Sequence, residues 1–307
     1  MKLLKFLPFL LFALSISACL GDDDDVQPQI VRFVDELINT DPDLDDLEIA
    51  MARTGLDSVL SRTLNFTVFG PTDEAFAAAG IDVRTMDSTA LTNALRYHLL
   101  GGTYFGRQNQ GRQISYINSA FDITPNGAAV PLLIAKGDMA DDIVVNGSAT
   151  VVGSELAGSN GIVQKIDRVL VPPTLLQTIR NNDLFTDFAE LVDDSAPLDD
   201  GSSVADSLNA TGPITLFIPL NGESTTGLDY NASESRSVVL YHMLGGRNDQ
   251  LAAFPSSYTT LEGGRINVNN RNLFTESDQS VLITLENIQC TNGILHITDE
   301  ILLPEGF

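Results

Sequence analysis

Three short sequence blocks occur twice in this chain, in the same order, and that duplication limits the fold more than any other feature. The first block is NFTVFGPTDEAF (65–76), matched by GPITLFIPLNGE (212–223), so that Phe69-x-Pro71 stands against Phe217-x-Pro219. The second is LRYHLLGG (95–102), matched by VLYHMLGG (239–246). The chain has only three histidines, and two of them, His98 and His242, follow Tyr97 and Tyr241 here. The third is NGIVQKIDRVLVPP (160–173), matched by NGILHITDEILLP (292–304), which pairs Asn160-Gly161 with Asn292-Gly293, Asp167 with Asp299, and Pro172 with Pro304. The 307 residues therefore hold two copies of one domain.

Each block has a local reading. TVFGP and TLFIP are β-prone apolar runs stopped by proline, which has no amide to give to a ladder. Thr72-Asp73-Glu74-Ala75-Phe76 starts a helix, with a polar cap and acids in the first turn. The second copy has Leu220-Asn221-Gly222-Glu223 there, so its helix is weaker or missing. Both Tyr-His octets close apolar helical stretches, and their Gly-Gly pairs predict helix ends capped by a left-handed glycine. IVVNGSATVV (143–152) and NGILHITDEIL read as strands punctuated by Asn-Gly turns. Helical spacing appears at Ile30, Phe33, Val34, Leu37 and Ile38, and again at Leu184, Phe185, Phe188 and Leu191; Asp43 to Met51 lines up with Asp183 to Leu191. Each half is thus mixed, with helices early and strands late.

The N-terminus carries Lys2 and Lys5, an apolar run, and then Ile16-Ser17-Ala18-Cys19, which is similar to a bacterial lipobox. The expectation is a signal peptide over 1–18, lipid on Cys19, an acidic tether over 19–28, and domains over 29–173 and 174–307. The run LGDDDD resembles the signal that sends some lipoproteins to the outer face of the outer membrane, although a plain charged spacer is the other reading. A formal charge of −24 repels nucleic acid and anionic headgroups, so membrane attachment would come through the lipid alone. Besides Cys19 the chain has only Cys290, in the alternating run VLITLENIQC, which reads as a buried, inert thiol.

Catalytic and metal motifs are sparse. There is no Gly-x-Ser-x-Gly elbow and no His-Glu-x-x-His, the three histidines lack ligand spacing, and no cofactor motif is present. DPDLDDLEIAMA (41–52) sets Asp41, Asp43 and Asp45 at alternate positions but lacks the glycine and glutamate of a calcium loop. It reads as a solvated helix start that holds cations at most loosely. GRQNQGRQ (106–113) and NVNNRN (267–272) are polar loops that could also hydrogen-bond a polysaccharide. The Tyr-His pair reads as a packing device, the tyrosine filling the core and the histidine bonding a neighbouring loop, with recognition as an added use.

Taken together, the blocks resemble the fasciclin domain family. The resemblance implies an α+β fold: two tandem domains, each a twisted β-wedge or sandwich with helices packed along it. It also implies extracellular adhesion and ligand binding without a general catalytic activity. In some animal members the Tyr-His neighbourhood is implicated in receptor binding, which by position carries over to Tyr97-His98 and Tyr241-His242. Two departures stand out: Gln164 occupies a site where the family often has histidine, as the second copy does at His296, and the second copy lacks Thr-Asp-Glu-Ala-Phe. The resulting expectation is a lipid-anchored protein at the cell surface, exposed on the outer membrane. It would bind surface proteins, extracellular matrix or polysaccharide noncovalently and could self-associate. The alternatives are an accessory subunit of an outer-membrane glycan uptake complex, or a hydrolase acting through His98, His242 or His296.

Overall fold

The computed structural model describes residues 32–62, 64–102, 113–119, 129–137, 143–222, 225, 229–248 and 256–307. The signal segment, Cys19, the acidic stretch and residues 106–112 of GRQNQGRQ lie outside the described residues.

The first half begins with α1 (Val34–Ile38), α2 (Asp45–Thr54) and α3 (Asp57–Leu60), then β1 (Phe66–Pro71). Asp45, Asp46 and Glu48 favour the positive end of α2, and Gly55 stops it in the left-handed conformation at φ 71°. β1 is buried along its whole length because it is a central strand, covered on both faces. Thr72 caps α4 (Asp73–Ala78) by accepting from the Ala75 amide at 3.2 Å. There follow α5 (Ser88–Tyr97), β2 (Leu99–Gly101), β3 (Gln113–Asn118), β4 (Pro131–Lys136), β5 (Ile143–Val145), β6 (Ala149–Thr150), β7 (Leu156–Gly158) and β8 (Gly161–Ile166). One sheet runs β2-β1-β8-β7, with β1 and β8 parallel, and a second runs β3-β4-β5-β6. A bridge between Val151 and Ile166 joins the two. On β1, Val68 packs among the helices while Phe69 packs against the second sheet, so one strand serves two cores.

The second half repeats the plan with α6 (Leu175–Arg180), a 3₁₀ turn (Asp183–Phe185), α7 (Thr186–Asp193), α8 (Val204–Asn209), β9 (Ile214–Pro219), α9 (Ala232–Tyr241) and β10 (Met243–Gly245). Its remaining strands are β11 (Ser256–Thr259), β12 (Arg265–Asn269), β13 (Asn272–Thr275), β14 (Ser280–Cys290) and β15 (Gly293–Thr298). These form a single sheet, β10-β9-β15-β14-β13-β12-β11. β14 is long enough to belong to both layers, and register shifts between Ile283 and Ile288 bend it from one to the other. Leu244 bridges Thr260, and the Leu261 amide donates to the Met243 carbonyl at 2.8 Å, which ties the two ends of the sheet together.

Three expectations need adjustment. The Gly-Gly pairs do not cap the helices: α5 and α9 end on the tyrosine, and His98 and His242 are the right-handed caps. The next three residues become β2 and β10 because their backbones pair with β1 and β9; only then do Gly102 (φ 105°) and Gly246 (φ 90°) turn the chain. The alignment at the start of the halves also moves by one residue. The Asp73 amide donates to Asp43 O and the Asn221 amide to Leu184 O, so Asp43 matches Leu184, and Leu44, Leu47 and Met51 match the buried Phe185, Phe188 and Val192. Finally, α1 is matched by α6, whose buried Leu175, Leu176 and Ile179 were not picked out as a helix from the pattern. The described residues between β9 and α9 form no helix.

The halves touch through a polar seam. Asn182 Nδ2 donates to the Tyr116 hydroxyl at 2.9 Å, and the Tyr116 ring packs against the helical core of the second half.

The glycines of the last motif allow β1 and β8, and β9 and β15, to meet. A Cβ on Gly161 would lie 2.0 Å from Phe66 O, and one on Gly293 would lie 2.2 Å from Ile214 O. Gly293→Ala is therefore expected to cost at least about 2 kcal/mol, read as a shift in the urea midpoint with the slope unchanged.

Candidate functional site

The three repeated motifs converge on the histidine. The Leu170 amide donates to His98 Nε2 at 2.8 Å, which fixes Nε2 as an acceptor and leaves Nδ1 as the protonated nitrogen. Nδ1 donates to Ala94 O at 2.8 Å, a carbonyl in the last turn of α5 that the helix itself leaves unpaired. The His98 carbonyl accepts from the Phe69 amide at 3.0 Å. The second half copies each bond: Leu302 N to His242 Nε2 at 2.9 Å, Nδ1 to Val238 O at 2.7 Å, and Phe217 N to His242 O at 2.9 Å. Both imidazoles are fully buried, and Phe188 meets the His242 ring edge-on at 5.0 Å.

The tyrosines lie on the opposite side of the same helix end, inside the inter-sheet cores with Phe69 and Phe217. Tyr97 donates to Pro131 O at 3.0 Å and accepts from Asn146 Nδ2 at 2.9 Å; Tyr241 donates to Arg265 O at 2.7 Å. Burial raises both phenols above their ordinary range.

The other motif residues occupy matched positions. Asn160 Oδ1 accepts from the Val34 amide at 2.8 Å while Nδ2 donates to Leu60 O and Arg62 O, clamping α1 and the end of α3 to the β7–β8 turn. Asn292 does the same with Leu175, Leu208 and Ala210. Asp167 and Asp299 each bracket one residue of a neighbouring strand: carboxylate to amide at 2.7 Å with Thr150 and Leu282, and amide to carbonyl at 3.1 and 3.0 Å. Asp73 Oδ1 accepts from the Asp46 amide at 2.8 Å at the start of α2. Asn221 takes that role in the second half, accepting from the Asp187 amide at 3.1 Å. This equivalence was missed in the sequence, although a polar residue two places after the strand proline signals it in both copies. Pro71 and Pro219 end their strands.

Gln164 and His296 face different surroundings. Gln164 donates to Glu155 at 2.8 Å, whereas His296 Nε2 lies 3.2 Å from Asn248 O with its ring over Phe217 at 5.6 Å. Cys290 is buried at 3.3 Å from Thr178 Oγ1, and burial pushes its thiol up to about 11. The acidic run is satisfied internally: Lys165 Nζ lies 3.1 Å from Asp41 and 2.7 Å from Asp43. Burial alone would lower the Lys165 pKa, but the two carboxylates more than reverse this and raise it. No group of three or more metal-ligating side chains is assembled among the described residues.

With this geometry in view, comparison with known proteins gives a consistent result. The fasciclin domain model matches residues 42–172 and 183–304. Human periostin is 27% identical over 205 residues, covering 64% of this chain and 22% of its own, and Drosophila melanogaster Fasciclin-1 is 24% identical over 295 residues, covering 84% and 43%. The solved FAS1 domain pair of the insect cell adhesion molecule Fasciclin I superposes with a TM-score of 0.53 at 23% identity, over 85% of this chain and 96% of that one, which supports the fold alone. The chain belongs to the fasciclin domain family, as two tandem domains of mixed α+β architecture. It spans less than half the length of either curated relative.

Burial pushes His98 and His242 down to about 4, with the helix carbonyls opposing the shift in part. The unfolded chain takes up these protons below about 6.5, while the folded one resists until about 4, so each histidine removes roughly 3 kcal/mol of stability as pH falls through that window. Unfolding midpoints measured from pH 7 to pH 4 should fall steeply below 6.5. His242→Ala strands the Leu302 amide, leaves the Val238 carbonyl only its longer bond from the backbone amide of residue 242 at 3.3 Å, and opens a cavity, so it should cost about 3 kcal/mol at pH 7.

Proposed function

We propose that this protein is a lipid-anchored adhesion or ligand-binding module that acts through noncovalent contacts at the cell surface. The observation that carries the reading is how the Tyr-His motif is used. Its histidines are buried, neutral and committed to backbone bonds on both nitrogens, so their chemistry serves the scaffold. His296 and Cys290 are buried as well. Binding then falls to the outer surface, a reading supported by membership of the fasciclin domain family and by the kinship with periostin and Fasciclin-1.

The partners we propose are surface proteins, matrix or glycans. Glycan contact has local support on the outer face of the β12–β13 pair in the second half, where Phe274 is exposed and sits opposite the exposed Asn267 of NVNNRN. Lipid on Cys19 would hold the protein on the outer membrane, exposed at the cell surface. A place as accessory subunit in a glycan uptake complex is the second reading, and both sources of attachment are separable by experiment.

Cys19→Ala should move the protein from the membrane to the soluble fraction and abolish labelling by a palmitate analogue. The purified domain pair should be retained on cells, matrix or polysaccharide in the presence of a chelator, with the ligand's mass unchanged. Absence of retention on all three would overturn the adhesion reading, and stable co-purification with an outer-membrane transporter would favour the accessory role.

A further inference from the structure

A cleft of about 630 Å³ opens on the second domain between α9, the 198–200 turn and the 261–262 turn. It falls within the size range of ligand pockets. Its floor is aliphatic: Leu198 and Leu240 touch the helical core on one side and the cleft on the other, and Leu261 is 45% exposed. An exposed leucine at the tip of a turn costs hydration, yet this turn is tightly held. Thr260 N donates to Gly264 O at 2.9 Å, and Leu261 N donates to Met243 O at 2.8 Å, so the backbone that carries this side chain is fixed by the closure of the sheet.

The rim is acidic, with Asp199, Asp200 and Glu262. Glu262 is held in place by Ser237 Oγ at 3.1 Å and the Gly264 amide at 3.0 Å. Hydrogen bonds from the Ser202 hydroxyl and amide keep Asp200 below the usual carboxylate range. Arg236 is the cation lining this cleft, and it spends Nη1 on Pro197 O at 2.8 Å and on Asp199 at 3.4 Å, where the Asp199 side chain is otherwise in open solvent. Three carboxylates thus surround an aliphatic floor against one guanidinium, whose Nη1 is turned toward Pro197 O and Asp199. Aligned on the Tyr-His motif, the first half has Arg96 in place of Leu240 and Thr92 in place of Arg236, so the apolar floor is particular to the second half.

We propose that this cleft takes a peptide segment of a partner protein in which an aliphatic side chain is flanked by lysine or arginine. The leucines remove the aliphatic group and the basic stems from water, while the rim meets the charged ends. A neutral sugar would set hydroxyls against leucine, and an acidic polymer would be repelled. The proposal rests on the reading of this chain as a noncovalent binding module, and it gives that module a site and a partner chemistry.

The test is titration of the purified domain pair with a blocked hexapeptide of alternating lysine and leucine, followed by calorimetry and by amide NMR shifts. Saturable one-site binding is expected, with shifts centred on Leu240 and Leu261 and an affinity that falls about tenfold between low and high salt. L261S should abolish binding, and the double variant D199N/D200N should weaken it several-fold; both sites are exposed, and unchanged thermal midpoints would verify the fold. Equal binding of the glutamate-leucine or lysine-serine counterpart would overturn the proposal, as would displacement by an equal concentration of spermidine, or indifference to both variants. If the peptide does not bind while the protein is still retained on cells or matrix, the cleft proposal fails and the binding-module reading stands. If retention fails too, both fall.

Discussion

One imidazole in each half connects everything that the sequence repeats. Its two nitrogens and its own carbonyl bond the helix that precedes it, the segment after the last strand, and the first strand. A side chain without an acceptor at that place leaves the buried Leu170 or Leu302 amide unpaired, and a neutral imidazole supplies that acceptor and a donor on one rigid ring. The Asn-Gly pair does the complementary work at the other end of the sheet. Asparagine clamps two helices, and glycine lets two parallel strands meet where a methyl group would collide with a carbonyl. The three motifs recur together because they are the two ends of one parallel strand pair and the pin that locks it.

Much of this was legible in the residues themselves. Val68 and Phe69 within an apolar run stopped by proline gave a strand, Thr72 gave a helix start, and Asn146-Gly147 and Asn292-Gly293 gave turns between strands. What escaped was set by contacts distant in sequence. Gly101-Gly102 looked like a helix cap because nothing local shows that Leu99 and Leu100 will pair with Val68 and Thr67. Asn221 looked like a loss of the acidic helix start, although its amide oxygen accepts from the Asp187 amide as the Asp73 carboxylate accepts from Asp46. The cleft beside α9 was invisible because Leu240 and Leu261 are 21 residues apart in a chain where only folding brings them together.

The two halves share a scaffold and differ where it faces outward. The first resolves its acidic start internally by seating Lys165 between Asp41 and Asp43. The second has no acidic run at that place and gathers carboxylates around the 198–200 and 261–262 turns instead. On a chain with a formal charge of −24, most carboxylates serve solubility, and those set beside exposed leucines acquire a different meaning. Duplication freed one copy to change its rim while the buried pin stayed the same in both.

The parallel pairing of β9 with β15 also fixes the order in which each domain can be completed. The Leu175 amide meets Asn292 across 117 residues of sequence, and in the first half the Val34 amide meets Asn160 across 126. β15 is an interior strand, bordered by β9 and β14, although it is the last strand made. As the chain emerges from its N-terminus, the first domain can close while the second still lacks its middle, whose neighbouring strands must wait for β15. Loss of β15 would therefore open the sheet at its centre, leaving the helical core of that half to lie against β9 without the strand that joins it to β14.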